Sequence, residues 1–253
     1  MAKVKDPEKG KDKIKDTEGR MTVVEHLTEL RRRVILILFA FMFFASLSYW
    51  FAPNIISFFL HYYKDATHGS RQRFIFTGPL DAFLTRLKVA TYAGLVLAFP
   101  IVLWELWRFV TPGLHKKEKR YAVPFVLSSM VLFSIGGYIS LLILPKALSW
   151  LLHAGGQELT PLLTADRYLT LVALMIVAFG LAFEFPVVLM FLLLARIITT
   201  AQLRKRRRWA IVGIFAFAAI ITPSQDPYSL FFMAIPMCVF YEGCILLGRI
   251  LKR

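Results

Sequence analysis

The chain has 253 residues, of which 57% are hydrophobic, and its mean hydropathy is +0.60. Soluble globular domains are about 45–50% apolar, so this composition excludes an ordinary soluble domain and favours a protein that spans a membrane. The formal net charge of +15 would suit a nucleic-acid-binding protein. The basic residues, however, lie in short segments between long apolar runs, as topology signals do. We therefore expect an integral membrane protein with no nucleic-acid partner.

The N-terminal segment differs in composition from the rest of the chain. Residues 1–20 alternate Lys with Asp and Glu and contain no large apolar cluster, which predicts a disordered cytoplasmic tail. Apolar residues then recur at steps of three and four, at Val24, Leu27, Leu30 and Val34. This spacing predicts an amphipathic helix that runs into the first membrane span. Residues 21–253 are predicted to form a single transmembrane domain.

Six apolar segments are predicted to be transmembrane helices: residues 34–52, 82–107, 121–144, 168–195, 209–222 and 228–247. Pro53 and Pro145 are predicted to end the first and third helices. The fifth segment would reach roughly 21 Å, whereas the hydrocarbon core is about 30 Å thick. The sixth also has a short uncharged stretch. Two short neighbouring spans indicate either burial against longer helices or a locally thinned bilayer.

The distribution of Lys and Arg predicts the orientation. Of the 31 basic residues, 24 lie in the segments 1–33, 105–120, 196–208 and 249–253, and seven lie in the intervening segments. Because cytoplasmic loops carry the excess of basic residues, both termini are predicted to be cytoplasmic. This orientation requires an even number of spans, which six satisfies.

Glu184 is the only charge within the long fourth segment. A charged side chain at the centre of a membrane helix costs about 2.5–3.5 kcal/mol on insertion scales, so this carboxylate should face protein or water. Pro186 follows it and leaves the carbonyl of Ala182 without its helical donor, which predicts a kink. The carboxylate is therefore either a polar docking or proton-linked group, or a structural hydrogen-bonding partner of a neighbouring helix.

Two further carboxylates have ordinary interpretations when judged by spacing alone. Glu29 precedes Arg33 by four residues, the spacing of a helical ion pair. Glu118 lies within a basic run, where it would be a solvated charge. No metal, redox or catalytic pattern is visible: Cys238 and Cys244 lack metal-binding spacing, and no nucleophile motif or phosphate-binding loop is present. We therefore expect no cofactor and no enzyme activity.

Several short motifs follow one another along the chain. They are His26-Leu27-Thr28-Glu29-Leu30-Arg31, Pro79-Leu80-Asp81-Ala82-Phe83, Trp107-Arg108-Phe109, Glu118-Lys119-Arg120, Phe183-Glu184-Phe185-Pro186, Asp226-Pro227 and Tyr241-Glu242. Each is modest alone. In this order and at these spacings they resemble the TatC subunit of the Sec-independent, twin-arginine protein translocase, from about Thr22 to Arg249.

This resemblance implies an all-α polytopic membrane protein with six transmembrane helices in a cupped, glove-like bundle. It implies a receptor in the cell (inner) membrane for the twin-arginine signal peptides of folded precursors. The receptor would assemble with single-span partners of the TatA and TatB type, and with further copies of itself, for export driven by the proton-motive force. Glu29, Glu118, Arg31 and Phe109 match the family's signal-peptide site. Because a guanidinium binds a carboxylate through two parallel hydrogen bonds, two carboxylates suit two arginines.

The chain departs from the family pattern at a few positions. Asp81 replaces a more usual Glu, Glu105 replaces a common Gln, and Leu230 replaces a frequent Gln. A different class of function also remains open, namely a proton-coupled secondary transporter that uses Glu184. Such transporters tend to carry inverted repeats, and none is visible in this sequence.

Overall fold

The computed structural model describes residues 23–66, 78–110, 122–154 and 164–250. Within these ranges the chain forms seven α-helices and no β-strand. They are α1 (Val23–Ala66), α2 (Asp81–Val110), α3 (Ala122–His153), α4 (Ala165–Ala182), α5 (Phe185–Leu194), α6 (Thr200–Ile221) and α7 (Pro227–Ile250). The predicted tail at residues 1–20 lies outside the described residues, so its disorder stays a prediction.

Five helical segments in the described part of the chain are long and apolar enough to cross a membrane. They are Val24–Phe59, Asp81–Phe109, Val123–His153, Ala165–Leu194 and Pro227–Ile250. The helix α6 is not among them, because its first half carries the basic residues 204–208. Its apolar part, residues 209–221, would span roughly 20 Å. The short fifth span of the sequence prediction is therefore the second half of a longer helix.

The prediction that two prolines end helices is wrong. The helix α1 continues through Pro53 to Ala66, and α3 continues through Pro145 to His153. Proline removes one backbone donor, but membrane helices tolerate this loss because their surroundings satisfy the freed groups. Packing also holds the extension of α1. The buried Tyr63 lies against Tyr168 of α4, with ring centroids 5.4 Å apart, and the Tyr168 hydroxyl donates to the carbonyl of Phe59 at 2.6 Å.

The fourth predicted span is interrupted where the sequence predicts a kink. The helix α4 ends at Ala182, and α5 begins at Phe185 with Pro186 in its first turn. The carbonyl of Glu184 accepts from the backbone N–H of Val187 at 3.0 Å and starts the new helix. Proline fits the first turn because its missing N–H would have no helical partner there. Glu184 thus lies at the junction of two helices.

The core lies around α4, which packs chiefly on α3 and α2 and whose Tyr168, Met175 and Phe179 are almost completely buried. Glycines allow close approach of neighbouring helices. A Cβ at Gly136 of α3 would lie 2.5 Å from the Phe179 carbonyl oxygen, and a Cβ at Gly94 of α2 would lie 2.5 Å from Cα of Ala45 in α1. The close packing of α1 on α2 brings together the charged residues near the start of α1 and the end of α2.

Candidate functional site

A group of charged side chains joins the beginning of α1 to the end of α2. Arg33 lies one helical turn after Glu29 and forms an ion pair with it, as the spacing predicts. The Nε atom of Arg33 donates to Oε1 of Glu29 at 3.1 Å, and its Nη2 atom donates to the same oxygen. On its other side, Nη1 donates to Oε2 of Glu105 in α2 at 2.8 Å. One guanidinium therefore bridges two carboxylates that are distant in sequence.

One of the two carboxylate oxygens of Glu29 accepts no hydrogen bond from the described residues. Its Oε2 atom is buried and has no hydrogen-bond partner among the described residues. The carboxylate borders a cavity of about 220 Å³, which is also lined by Arg32, Arg33, Leu36, Glu105 and Arg108. An unsatisfied carboxylate oxygen beside a cavity is a site for a hydrogen-bond donor, and a cationic donor forms the strongest such bond.

Phe109 lies at the same helix junction. Its ring stacks on His26 of α1, with centroids 4.3 Å apart and an interplanar angle of 18°. His26 and Phe109 belong to two different sequence motifs, and only the packing of α1 on α2 brings them together. Arg31 is exposed on α1, one residue before Arg32 of the cavity lining.

The remaining predicted member of this site, Glu118, lies outside the described residues. Its proximity to Glu29 stays a prediction. In contrast, Arg33 and Glu105 line the cavity beside Glu29, although neither spacing nor motifs predict a binding role for them. A charge near the inner end of a span requires a partner, which singles out Glu105 but does not identify Arg33 as that partner.

Glu184 forms a second polar position, at the junction of α4 and α5. Its side chain is partly exposed, but its Oε1 atom is buried and has no hydrogen-bond partner within the described ranges. The hydroxyl of Ser129 in α3 faces this carboxylate without completing a hydrogen bond, and it too has no partner there. The described part of the chain thus leaves Oε1 of this carboxylate unsatisfied. Whether it lines a concave surface stays a prediction.

The described residues contain no visible metal-binding site. No group of three His, Cys, Asp or Glu side chains there is arranged to hold a metal ion. Cys244 is buried in α7, and its thiol lies 3.5 Å from the carbonyl oxygen of Pro186. This contact is the packing role expected of a cysteine in an apolar helix.

Comparison with known proteins identifies the family. The family model described as "TatC: Sec-independent protein translocase protein (TatC)" matches residues 25–236. The Sec-independent protein translocase protein TatC of Frankia casuarinae is 40% identical over 241 residues, which cover 91% of this chain and 66% of that protein. The TatC protein of Aquifex aeolicus is 35% identical over 240 residues, which cover 92% of this chain and 97% of that relative.

A solved structure described as the twin-arginine translocase receptor TatC matches the fold. It is 35% identical, with a TM-score of 0.74, and the match covers 90% of this chain and 100% of the solved one. A second structure of the same receptor in a detergent matches with a TM-score of 0.72. These matches confirm the predicted all-α, polytopic membrane fold. The chain therefore belongs to the TatC family of Sec-independent protein translocase proteins, and it is a multi-pass membrane subunit for protein transport, not an enzyme.

Proposed function

We propose that this chain is the receptor subunit that binds twin-arginine signal peptides of folded precursors in the cavity between α1 and α2. The observation that carries the proposal is the state of Glu29. Its carboxylate already binds one guanidinium, that of Arg33, and its buried Oε2 is free among the described residues. A site built to bind guanidinium therefore has capacity for another.

Guanidinium chemistry favours arginine over lysine at such a carboxylate. The planar guanidinium offers two parallel N–H groups, whereas the lysine ammonium is a point charge. The stacked rings of His26 and Phe109 form an aromatic surface at the same ends of α1 and α2. A peptide bound in the cavity could contact this surface with its neighbouring side chains.

Charge balance supports a role for Glu118. The cavity lining contains three arginines and two carboxylates, so Glu29 and Glu105 alone do not neutralise it. Two further arginines from a signal peptide would need another carboxylate. Glu118 follows the C-terminal end of α2 by eight residues, which is close enough along the chain to supply it. Exposed Arg31 would then lie at the edge of the site.

We also propose a location and partners for the chain. The cavity is placed at the cytoplasmic face of the cell membrane, since the basic segments that flank it predict cytoplasmic exposure. Partners of the TatA and TatB type would supply single-span helices, and Glu184 with its unsatisfied oxygen is the proposed intramembrane contact. Several copies of the chain would assemble in the complex, and export would use the proton-motive force. The alternative function as a proton-coupled transporter is not favoured, since the relatives are named as translocase proteins.

Export of a folded reporter tests this function. Cells that lack their own TatC would receive this chain, together with a folded reporter whose signal peptide carries two arginines. We expect export of this reporter, no export of a matched reporter with two lysines, and a crosslink between the precursor and the chain. Absence of both export and the crosslink, when the chain is present in the membrane, would refute the proposal.

A further inference from the structure

Arg33 is bound to the carboxylate of Glu29, to which the proposed function assigns an arginine of the precursor. Two nitrogen atoms of Arg33 donate to the same oxygen of Glu29, Oε1, and its third nitrogen donates to Glu105. The side chains of Arg33, Glu29 and Glu105 are only 12%, 20% and 10% exposed. The guanidinium is thus held between a carboxylate of its own helix and one of the neighbouring helix, largely away from water.

This arrangement leaves Glu29 only half available to a ligand. A guanidinium binds a carboxylate most strongly when two parallel N–H groups meet its two oxygens. Oε2 of Glu29 has no partner in the described part of the chain, but Oε1 already accepts two hydrogen bonds from Arg33. An incoming guanidinium can form the two-oxygen arrangement only after Arg33 releases Oε1.

Glu105 provides the charge that lets Arg33 move. Removing one partner from a buried ion pair is strongly destabilising because it strands the other charge. Since Nη1 of Arg33 is bonded to Glu105 at 2.8 Å, the guanidinium can rotate away from Glu29 and remain paired. The adjacent cavity of about 220 Å³ gives space for this movement.

We propose that Arg33 is an internal competitor at the arginine site, and that Glu105 is a positioning residue that retains Arg33 when a precursor's arginine binds Glu29. This inference rests on the proposed function and deepens it. Arg33 occupies the site between precursors and returns to Glu29 when a signal peptide leaves. The exchange weakens each binding event and thereby makes it readily reversible.

The affinity of signal peptides for the full chain in nanodiscs tests the proposal. Two fluorescent peptides would be compared, one with two arginines and one with two lysines at the same positions. In Glu105→Gln, Arg33 loses its second carboxylate and holds Glu29 more tightly. In the double variant Arg33→Gln with Glu105→Gln, the competitor is absent, Glu105 does not remain as an unpaired carboxylate, and both oxygens of Glu29 are available to a ligand.

We expect opposite effects in the two variants. Because apparent affinity scales with the fraction of free sites, Glu105→Gln should weaken binding of the twin-arginine peptide about five- to tenfold, and the double variant should strengthen it by a similar factor. The twin-lysine peptide should change less than about twofold, because an ammonium can use the free Oε2 without displacing Arg33. The ratio of the two affinities therefore separates competition from a general structural effect.

A second ion pair between helices provides the matched control. Lys88 of α2 donates to Asp166 of α4 at 2.7 Å, some 25 Å along α2 from Glu105. The variant Lys88→Gln with Asp166→Asn should leave both peptide affinities unchanged. If Glu105→Gln alone does not fold, the double variant, which carries neither charge, still decides the outcome.

Two results would overturn the inference: unchanged twin-arginine affinity in the variants, or equal shifts for both peptides. The proposed function would fail differently. In that case the unmodified chain would not prefer the twin-arginine peptide, or Glu29→Gln would bind it normally.

Discussion

Two substitutions of Glu118 should separate the effect of losing its charge on peptide binding from the effect of reversing it. We predict that Glu118→Gln weakens binding of a twin-arginine peptide by about ten- to a hundredfold, because it loses a charge-assisted hydrogen bond of about 1.5–3 kcal/mol. Glu118→Lys should weaken binding further, since it also repels arginine. Equilibrium titration of the peptide against the chain in nanodiscs measures both effects.

Glu25 serves as the control for this pair of substitutions. It is an exposed carboxylate in the first turn of α1 and does not line the cavity. Glu25→Gln should therefore change the affinity less than about twofold, as is usual for exposed charges. Normal binding and export by both Glu118 variants would remove this residue from the site.

Glu184 should affect assembly rather than precursor binding. We predict that Glu184→Ala reduces copurification of single-span partners and leaves peptide affinity unchanged. Intramembrane hydrogen bonds contribute only about 0.6–2 kcal/mol, so the expected loss of assembly is partial. Glu184→Gln, which keeps a hydrogen-bonding side chain, should assemble better than Glu184→Ala.

The variant Ser129→Ala tests whether Glu184 acts through a contact with α3 of its own chain. If Glu184 served only to bind α3, Ser129→Ala should produce the same defect as Glu184→Ala. We expect a smaller one, because the two side chains do not form a hydrogen bond in the described structure. Equal defects in the two variants would assign Glu184 to helix packing.

The packing of α1 on α2 depends on the absence of a side chain at Gly94. A Cβ there would lie 2.5–2.8 Å from the backbone and Cβ of Ala45, and backbone cannot move aside cheaply. We predict that Gly94→Ala lowers the free energy of unfolding by about 1–3 kcal/mol. It should also reduce binding of the twin-arginine peptide, since Arg33 and Glu105 meet across this interface. A thermal unfolding assay in detergent measures the first effect.

Gly213 of α6 is the matched glycine for this test. A Cβ at Gly213 would meet no atom within 4 Å. Gly213→Ala should therefore preserve stability or increase it by up to about 1 kcal/mol, the intrinsic helix preference for alanine. Equal stability of the Gly94→Ala and Gly213→Ala variants would contradict the close approach of α1 and α2.

The orientation of the whole chain follows from its charge distribution. With 24 of 31 basic residues on one side, we predict that both termini are cytoplasmic. Cysteines introduced at Thr67 or Gly155 should react with an impermeant maleimide added outside intact cells. A cysteine at Lys205, in the exposed basic part of α6, should react only after the membrane is opened. The reverse pattern would invert the topology.

The native cysteines should not obscure this labelling experiment. Cys244 is buried and Cys238 is partly buried, both within the apolar helix α7. The unmodified chain should therefore give little signal with the same reagent, and it serves as the background control.

Part of the candidate site could be predicted from sequence. The resemblance of their motifs to a family predicts Glu29 and Phe109, and helical spacing predicts the ion pair of Glu29 with Arg33. Glu105 could not be assigned, because its partner Arg33 lies 72 residues away and no local rule connects them. The pairing exists only because α1 and α2 pack closely.

Local features of the chain determined the membrane class, the apolar segments, the charge asymmetry and the break near Pro186. Each depends on the composition of neighbouring residues, which the sequence shows directly. Only the tertiary structure decided that α1 continues past Pro53, because Tyr63 beyond that proline packs on Tyr168. It likewise decided that Arg33 lies between two carboxylates. Such contacts depend on how closely distant helices approach, and that distance is set by the shapes of both surfaces together.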